Sequence, residues 1–492
     1  MATKSAHQRI YFALKVHQHR LSLGFSFAEL AERTQLSISY LNEIEKGKKF
    51  PKPDKIEQLA RVFNTSIELL LSETLPKNLE PIEELLKSNF LNELPLDIFG
   101  FDLMRLVELI ADAPTRVGAF IATLVDLSRG YAGNEAHFYF AALRSYLEIN
   151  YNFFEDIETA ALKLASEFKI EIQSLHNSAI LEKILKEKFN YKIIEDGLSS
   201  YPDLNILRAV TNPRTRTLLL NKNLTTAQRA FQFGKELGFC ELQLKERAYT
   251  SSLLRVKNFD EVLNHFKAGY FSAALLMPQK EFIADIKAFF LQKLWNNGDS
   301  ILGLLQKYNA TPEMFFQRMT NILPQFLNLE QVFFLRFLHT HGSNQYEINK
   351  ELHLSRKHHP QSTASSEHYC RRWLAIKSLE NLEQNKSGGY FIIAAQLSAY
   401  NNTNDIYLCI TIARRDNETR SSSVTIGILI EPDTVSKINF LDDPEISSRE
   451  VSTTCERCAI SDCLERQSAP TFIIKKEKRR ALREALNQLM DS

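Results

Sequence analysis

No charge-free apolar run in these 492 residues reaches the roughly 18 to 20 positions that a membrane-spanning helix needs. The polar N-terminus has no apolar core of the kind a secretory signal carries. Both absences predict a cytoplasmic protein with no membrane partner. Cysteine is scarce: six residues are too few for a disulfide framework in a chain of this length. Net charge is nearly absent too, with 60 Lys and Arg against 59 Asp and Glu, so affinity for nucleic acid has to be local to one domain. No low-complexity linker punctuates the chain, and at 44% hydrophobic it holds material for about three domains.

Positive charge is concentrated at the start. The first 71 residues hold eleven Lys or Arg against seven Asp or Glu, +4 in a chain whose formal total is +1. Within them, residues 26–63 read as a helix-turn-helix with its flanking helix. Ser26 and Glu29 form a capping box that opens one helix. The next starts three residues after Thr34, capped by Ser37, with Leu41 and Ile44 inward and Ser39, Asn42, Glu43 and Lys46 on the opposite face. Asp54 with Glu57, after Pro53, opens another helix, and Thr65 with Glu68 a further short one. The whole resembles the repressor-type, XRE-like (lambda-repressor-like) DNA-binding domain. Ser37, Ser39, Tyr40, Asn42, Glu43, Lys46, Lys48 and Lys49 are the expected contacts to double-stranded DNA, polar groups at base edges and lysines at phosphates. The bland alternative is a helical bundle with a solvated lysine loop.

Residues 81–167 carry a helical pattern, with Leu103, Leu106, Val107 and Ile110 on one stripe that suits either a core or a dimer contact. Four segments then carry a wider resemblance: LRSYLEINYNFFEDIETAALKLA from Leu143, TAQRAFQFGKELGF from Thr226, FKAGYFSAALLMP from Phe266, and CERCAISDCLER near the C-terminus. With the N-terminal domain they resemble the short-chain fatty acyl transcriptional regulators, over nearly the full chain. The resemblance implies control of acyl and carboxylate metabolism genes, with a short-chain acyl-CoA as effector.

The middle domain of that family resembles IrrE-type metallopeptidases, whose helix carries HExxH and whose zinc site is completed by a later acidic residue. The stretch in register here is Lys235-Glu236-Leu237-Gly238-Phe239. Zinc chemistry needs two imidazoles one turn apart with the intervening Glu as general base, and both imidazoles are missing. The third-ligand position becomes Lys267, and Glu236 alone reads as a solvated or salt-bridged residue. A retained fold without a catalyst is expected, hence no enzyme. An emptied cleft suits an effector, and Arg144, Tyr249, Arg255, Tyr270 and Phe271 have the chemistry that the acyl-CoA implied by the resemblance requires. Their ordinary alternative is aromatics in the core and arginines in solvent.

Apolar runs at 389–396, 405–414 and 424–430 are bounded by Asn, Asp, Gly and Ser, the signal of antiparallel strands, and 401–404 suits a hairpin. After them comes Cys455-x2-Cys458-x4-Cys463. Thiolates so spaced can wrap one metal centre, and a closed site needs a fourth ligand. Cys370 is the expected supplier, since the family has Cys and Trp where Cys370 and Trp373 stand, although His368-Tyr369 and Arg371 replace its flanking Gly-Gly and Pro. His368 is second choice. Either a [4Fe–4S] cluster or structural zinc fits the spacing, and the resemblance favours the cluster. Cys240 and Cys409 read as core thiols. The basic tail 475–483 lies on a helical pattern with Leu482, Ala485, Leu486 and Leu489 inward.

The expected fold is a mainly α N-terminal half and an α+β C-terminal half. A helix-turn-helix over 1–75 leads into a helical connector over 76–170. A degenerate zincin-like, IrrE-like domain over 171–330 and an antiparallel-sheet sensory domain with a cysteine-bound centre over 331–492 complete it. The expected protein is a homodimeric DNA-binding regulator. Its rivals are a DNA-tethered metallopeptidase of the IrrE or ImmA type and an effector-independent phage-type repressor.

Overall fold

The computed structural model describes residues 6–72, 74, 135–170, 177–204, 206–251, 256–354, 367–384, 391–401, 403 and 405–490. The connector stripe at Leu103, Leu106, Val107 and Ile110 lies outside them. The chain divides into two units, Met1–Tyr146 with Arg255–Val262 and Leu147–Leu254 with Leu263–Ser492.

Five helices open the first unit: α1 (Ala6–Ser22), α2 (Phe27–Thr34), α3 (Ile38–Glu45), α4 (Pro53–Phe63) and α5 (Ile67–Leu71). Ser26 and Glu29 make the expected capping box on α2. Gln35 then takes a left-handed conformation (φ 55°), and Ser37 accepts from the Tyr40 amide to start α3. Phe12, Val16, Leu30, Leu41, Ile44, Ile56, Leu59, Phe63 and Leu70 close the core around this turn. Two caps differ from expectation. α4 begins on Pro53 with Lys52 at the cap and no side-chain bond, Pro needing no partner for the donor it lacks. α5 is capped by Ser66 instead of Thr65, because Asn64 is left-handed and the Thr65 amide is already spent on the Ala60 carbonyl at the end of α4. Lys15 finishes α5, its ammonium donating to the Leu69 carbonyl (2.7 Å) and the Ser72 hydroxyl (2.7 Å).

α6 (Glu135–Ile149), α7 (Glu155–Glu167) and α8 (Asn177–Glu187) lead to a small sheet of β1 (Lys192–Ile194), β2 (Ala209–Asn212) and β3 (Thr217–Leu220). Its order is β1-β3-β2, with β1 parallel and β2 antiparallel to β3. Then come α9 (Thr226–Glu241), α10 (Phe259–Leu276), α11 (Gln279–Phe290), α12 (Asp299–Lys307) and α13 (Pro312–Leu327). Gly234 and Gly238, one turn apart on α9, let α10 come close: a Cβ on Gly234 would lie 2.4 Å from the Ser272 hydroxyl, and one on Gly238 3.1 Å from Ala268 backbone. This approach brings His265 of α10 to Lys235 of α9. Arg318 of α13, fully buried, grips Glu158 of α7 (Nη2–Oε2 2.9 Å) and donates to the Met277 carbonyl.

The last part is a six-stranded sheet of β4 (Val332–Thr340), β5 (Tyr346–His353), β6 (Phe391–Tyr400), β7 (Ile406–Asn417), β8 (Arg420–Leu429) and β9 (Ser447–Val451), in the order β5-β4-β8-β7-β6-β9. α14 (Leu374–Gln384) packs Ile376, Leu379 and Leu382 against one face. The three expected strands are β6, β7 and β8, with β7 antiparallel to both its neighbours, and the expected connection at 401–404 lies partly outside the described residues. The sheet is mixed and not purely antiparallel, since β9 pairs parallel with β6, Gln396 opposite Ser447. α15 (Pro432–Val435) and α16 (Thr471–Met490) complete the fold. α16 is helical as expected, but none of its residues is buried, so Leu482, Ala485, Leu486 and Leu489 do not point inward. No described helix is long and apolar enough to cross a membrane.

Candidate functional site

α3 presents the expected face. Leu41 and Ile44 are buried, Ser39 is exposed, and Asn42, Glu43 and Lys46 are half-exposed opposite them. Ser37 spends its oxygen on the helix cap. Lys48 and Lys49 stand exposed in the loop after α3. Lys49 lies 3.3 Å from Glu43 and 5.2 Å from the centre of the half-buried Tyr40 ring. The far end of α3 is fixed by charge. Glu45 is buried and accepts from Arg20 (2.7 and 2.9 Å), with His17 at 2.7 Å, and Arg20 also donates to the Phe25 carbonyl. Burial pushes the Glu45 carboxyl up, but the hydrogen bonds from His17 and Arg20 outweigh it and hold the group below the usual carboxylate range.

The stretch in register with HExxH is buried and rebuilt with cations. Of the two expected states of Glu236, solvated or salt-bridged, the structure shows the second, in the interior. Its two oxygens accept a bidentate pair from Arg247 (2.9 and 2.6 Å), the Tyr191 hydroxyl (3.0 Å) and the Thr211 hydroxyl (2.8 Å). Phe239, at the place of the second imidazole, lies flat under the Arg247 guanidinium at 3.8 Å. Lys235, at the place of the first, is 5% exposed, with Nζ 2.9 Å from His265 Nε2 and 3.3 Å from the Ser251 carbonyl. Burial pulls the Lys235 ammonium down to about 7, Glu236 opposing this and Arg247, Lys350 and Arg208 adding to it. Burial likewise holds His265 well below its usual value, with Lys235, Lys350 and Arg247 adding. His265, not Lys267, is thus the α10 residue that faces the altered motif. Sequence reasoning missed it because alignment on LLMP fixed the register two residues later. The space left between β2 and α9, about 10 Å³, is near the lower limit for one water molecule.

Tyr270 and Phe271 are in the core; the Tyr270 hydroxyl donates to Glu158 (2.7 Å), and burial with that carboxylate pushes it well up. Tyr249 is exposed, Arg144 is half-buried in the first unit, and Arg255 lies outside the described residues.

Among the cysteines, Cys370, Cys455 and Cys458 are buried and Cys463 is half-buried. One backbone crossing joins the Cys370 and Cys455 segments: Cys455 N donates to the His368 carbonyl (2.8 Å), Cys370 N to the Thr453 carbonyl (3.2 Å), and Tyr369 bridges Thr454. Arg466 binds the carbonyls of Cys455 and Cys458, and the Gln467 amide points at Cys455 Sγ (3.4 Å). Burial pushes the Cys370 thiol up to about 11. Among the described residues, no three His, Cys, Asp or Glu side chains are gathered closely enough to hold a metal ion. His368 is engaged through Nδ1 with Glu456 at 2.8 Å. Close to Cys370 in sequence, the Trp373 indole N–H and the Nε and Nη1 of buried Arg371 have no hydrogen-bond partner among the described residues. Cys409 is a core thiol of β7, pushed up to about 12 by burial, whereas Cys240 is half-buried beside Tyr191.

The helix-turn-helix domain family matches residues 12–71, and the IrrE N-terminal-like domain family matches residues 192–320. The chain therefore carries a DNA-binding domain of helix-turn-helix type ahead of a peptidase-related domain, a make-up that supports a DNA-binding regulator. A solved transcriptional regulator of Mycobacterium tuberculosis is similar over 67% of this chain and 93% of its own, at 16% identity and a TM-score of 0.47. No curated protein matches the chain.

Proposed function

We propose that the chain is a transcription regulator that docks α3 in the major groove as a homodimer and answers to a short-chain acyl-CoA, so controlling acyl and carboxylate metabolism genes. The observation that carries the DNA part is α3 itself, buried on one side through Leu41 and Ile44, with Ser39 and Asn42 outward and Lys48 and Lys49 directly after it. Asn can pair with a base edge through two hydrogen bonds, while lysines neutralise phosphates whatever the sequence. A dimer supplies the two half-sites that such domains read. The effector acts only through unequal affinity for two arrangements, a coupling on the order of 1–3 kcal/mol.

Peptidase chemistry is not part of this reading. Lys235 and Phe239 stand where imidazoles are needed, and Glu236 is occupied by Arg247. In the C-terminal domain, the set of four thiols, three of them buried, supports a bound centre. Cys370, Cys455, Cys458 and Cys463 would hold it. A [4Fe–4S] cluster would supply a redox or iron signal, and zinc would serve as a structural staple. Adding acetyl-, propionyl- or butyryl-CoA to the protein–operator complex tests the effector. Operator affinity should change with one of them, and no change at saturating ligand overturns that part.

A further inference from the structure

We infer that the cleft between β2 and α9 is a binding site for an oxyanion, the phosphate or carboxylate group of a small ligand. The inference rests on the reading above, that the emptied peptidase cleft receives the effector, and it names the group held there.

The first ground is charge. Lys235 and Arg247 line the cleft, Arg208 and Lys350 act on Lys235 from beside it, Arg336 joins those two on Glu313, and the five cations share two buried carboxylates. Glu236 is consumed by Arg247, with Tyr191 and Thr211 filling its remaining lone pairs. Glu313 is divided among Lys350, Arg208 (3.2 Å) and Arg336 (3.7 Å). Although burial pushes Glu313 up, those three cations hold it well below the usual carboxylate range. Lys235 is left with a carbonyl and an imidazole. Buried cations are ordinarily paired, so a nine-tenths buried ammonium without a carboxylate of its own is the mark of a counter-ion that arrives from outside.

The second ground is geometry. Lys235 and Arg247 both line the cleft, and Arg247 keeps its Nε without a partner among the described residues. Gln232, Thr250 and Ser251 add polar groups to the same wall. An oxyanion offers several lone pairs to such converging donors, and charge-assisted bonds of this kind are about twice as strong as neutral ones. The room available, about the size of one water, admits an oxygen of the anionic group and leaves the ligand's body outside. The same surplus of positive charge disfavours a metal cation here.

Calorimetric titration of the full-length chain with inorganic phosphate and, separately, with acetate tests this at mildly acidic pH, below the value of about 7 at which Lys235 loses its proton. Saturable binding of either anion is expected, the tighter one identifying the group. Lys235→Met should weaken it by about tenfold or more, the loss of one strong charge contact, and Lys350→Gln severalfold. Lys163→Met, on an exposed position of α7, should leave it unchanged. Absence of binding by both anions, or equal affinity in wild type and Lys235→Met, overturns the oxyanion site. Operator binding is followed in parallel. Anion binding lost in Lys235→Met, together with an acyl-CoA response that survives the substitution, leaves the oxyanion site and the regulator reading and separates the one from the other. Phosphate binding at Lys235 with no acyl-CoA response removes that effector and leaves the oxyanion site.

Discussion

The Arg20 guanidinium closes a two-point grip on the Glu45 carboxylate, Nε to Oε1 at 2.7 Å and Nη2 to Oε2 at 2.9 Å, and so ties the end of α1 to the last residue of α3. Both side chains are buried. Glu45→Ala leaves Arg20 charged and unpaired, and should destabilise the helix-turn-helix by about 3–5 kcal/mol in denaturant unfolding. Because the folded-state pKa of Glu45 is depressed, its contribution is complete above the ordinary carboxylate value and is lost as pH falls through the folded one. Acid titration of wild type should show that loss, and Glu45→Ala should be flatter with pH.

Lys235 has the opposite linkage. Its pKa in the fold is about 7, below that of an unfolded lysine, so the unfolded chain binds more protons between about 7 and the ordinary lysine value. Stability from this group is therefore lowest below about pH 7 and recovers as pH rises. Lys235→Met should be more stable than wild type near pH 6, by up to several kcal/mol on the order-of-magnitude linkage scale, with the advantage shrinking toward pH 9. Thermal unfolding across that range checks it, and a constant difference would contradict it.

How far the sequence could be read differed sharply along the chain. Around α3, capping residues and apolar spacing act within a few positions, so Ser26, Ser37, Leu41 and Ile44 stand where local rules put them. At the cleft the decisive partners are remote. His265 meets Lys235 where α9 and α10 close on Gly234 and Gly238, and Arg247 reaches Glu236 from the segment after α9, neither of which periodicity reveals. β4 is nearly buried along its whole length and so lacks the alternation that marks a half-buried strand. The parallel partner β9 is polar outside its last residue and carries no strand signal.

That closure is itself open to substitution. Gly234→Ala puts a methyl 2.4 Å from the Ser272 hydroxyl, which already donates to the Phe231 carbonyl. Overpacking of this kind costs about 1–3 kcal/mol, more than the helix propensity gained from alanine. Urea unfolding should report a net loss; a gain would mean that α9 and α10 have slack.

The cysteine reading turns on metal content. Anaerobically purified protein should contain iron and sulfide with visible absorbance, and Cys458→Ser should lose both. A colourless protein with one zinc per chain would replace the cluster by a structural staple, and protein free of either metal would end the idea of a bound centre.

Operator binding measured against salt, for wild type, Asn42→Ala and Lys48→Ala, tests the central claim most directly. Asn42→Ala should lose about 1–3 kcal/mol on the operator and little on random DNA, relaxing specificity. Lys48→Ala should weaken both alike and reduce the salt slope by about one. Wild type that ignores operator fragments at low salt, or variants that match it on every sequence, would contradict a regulator that reads DNA through α3.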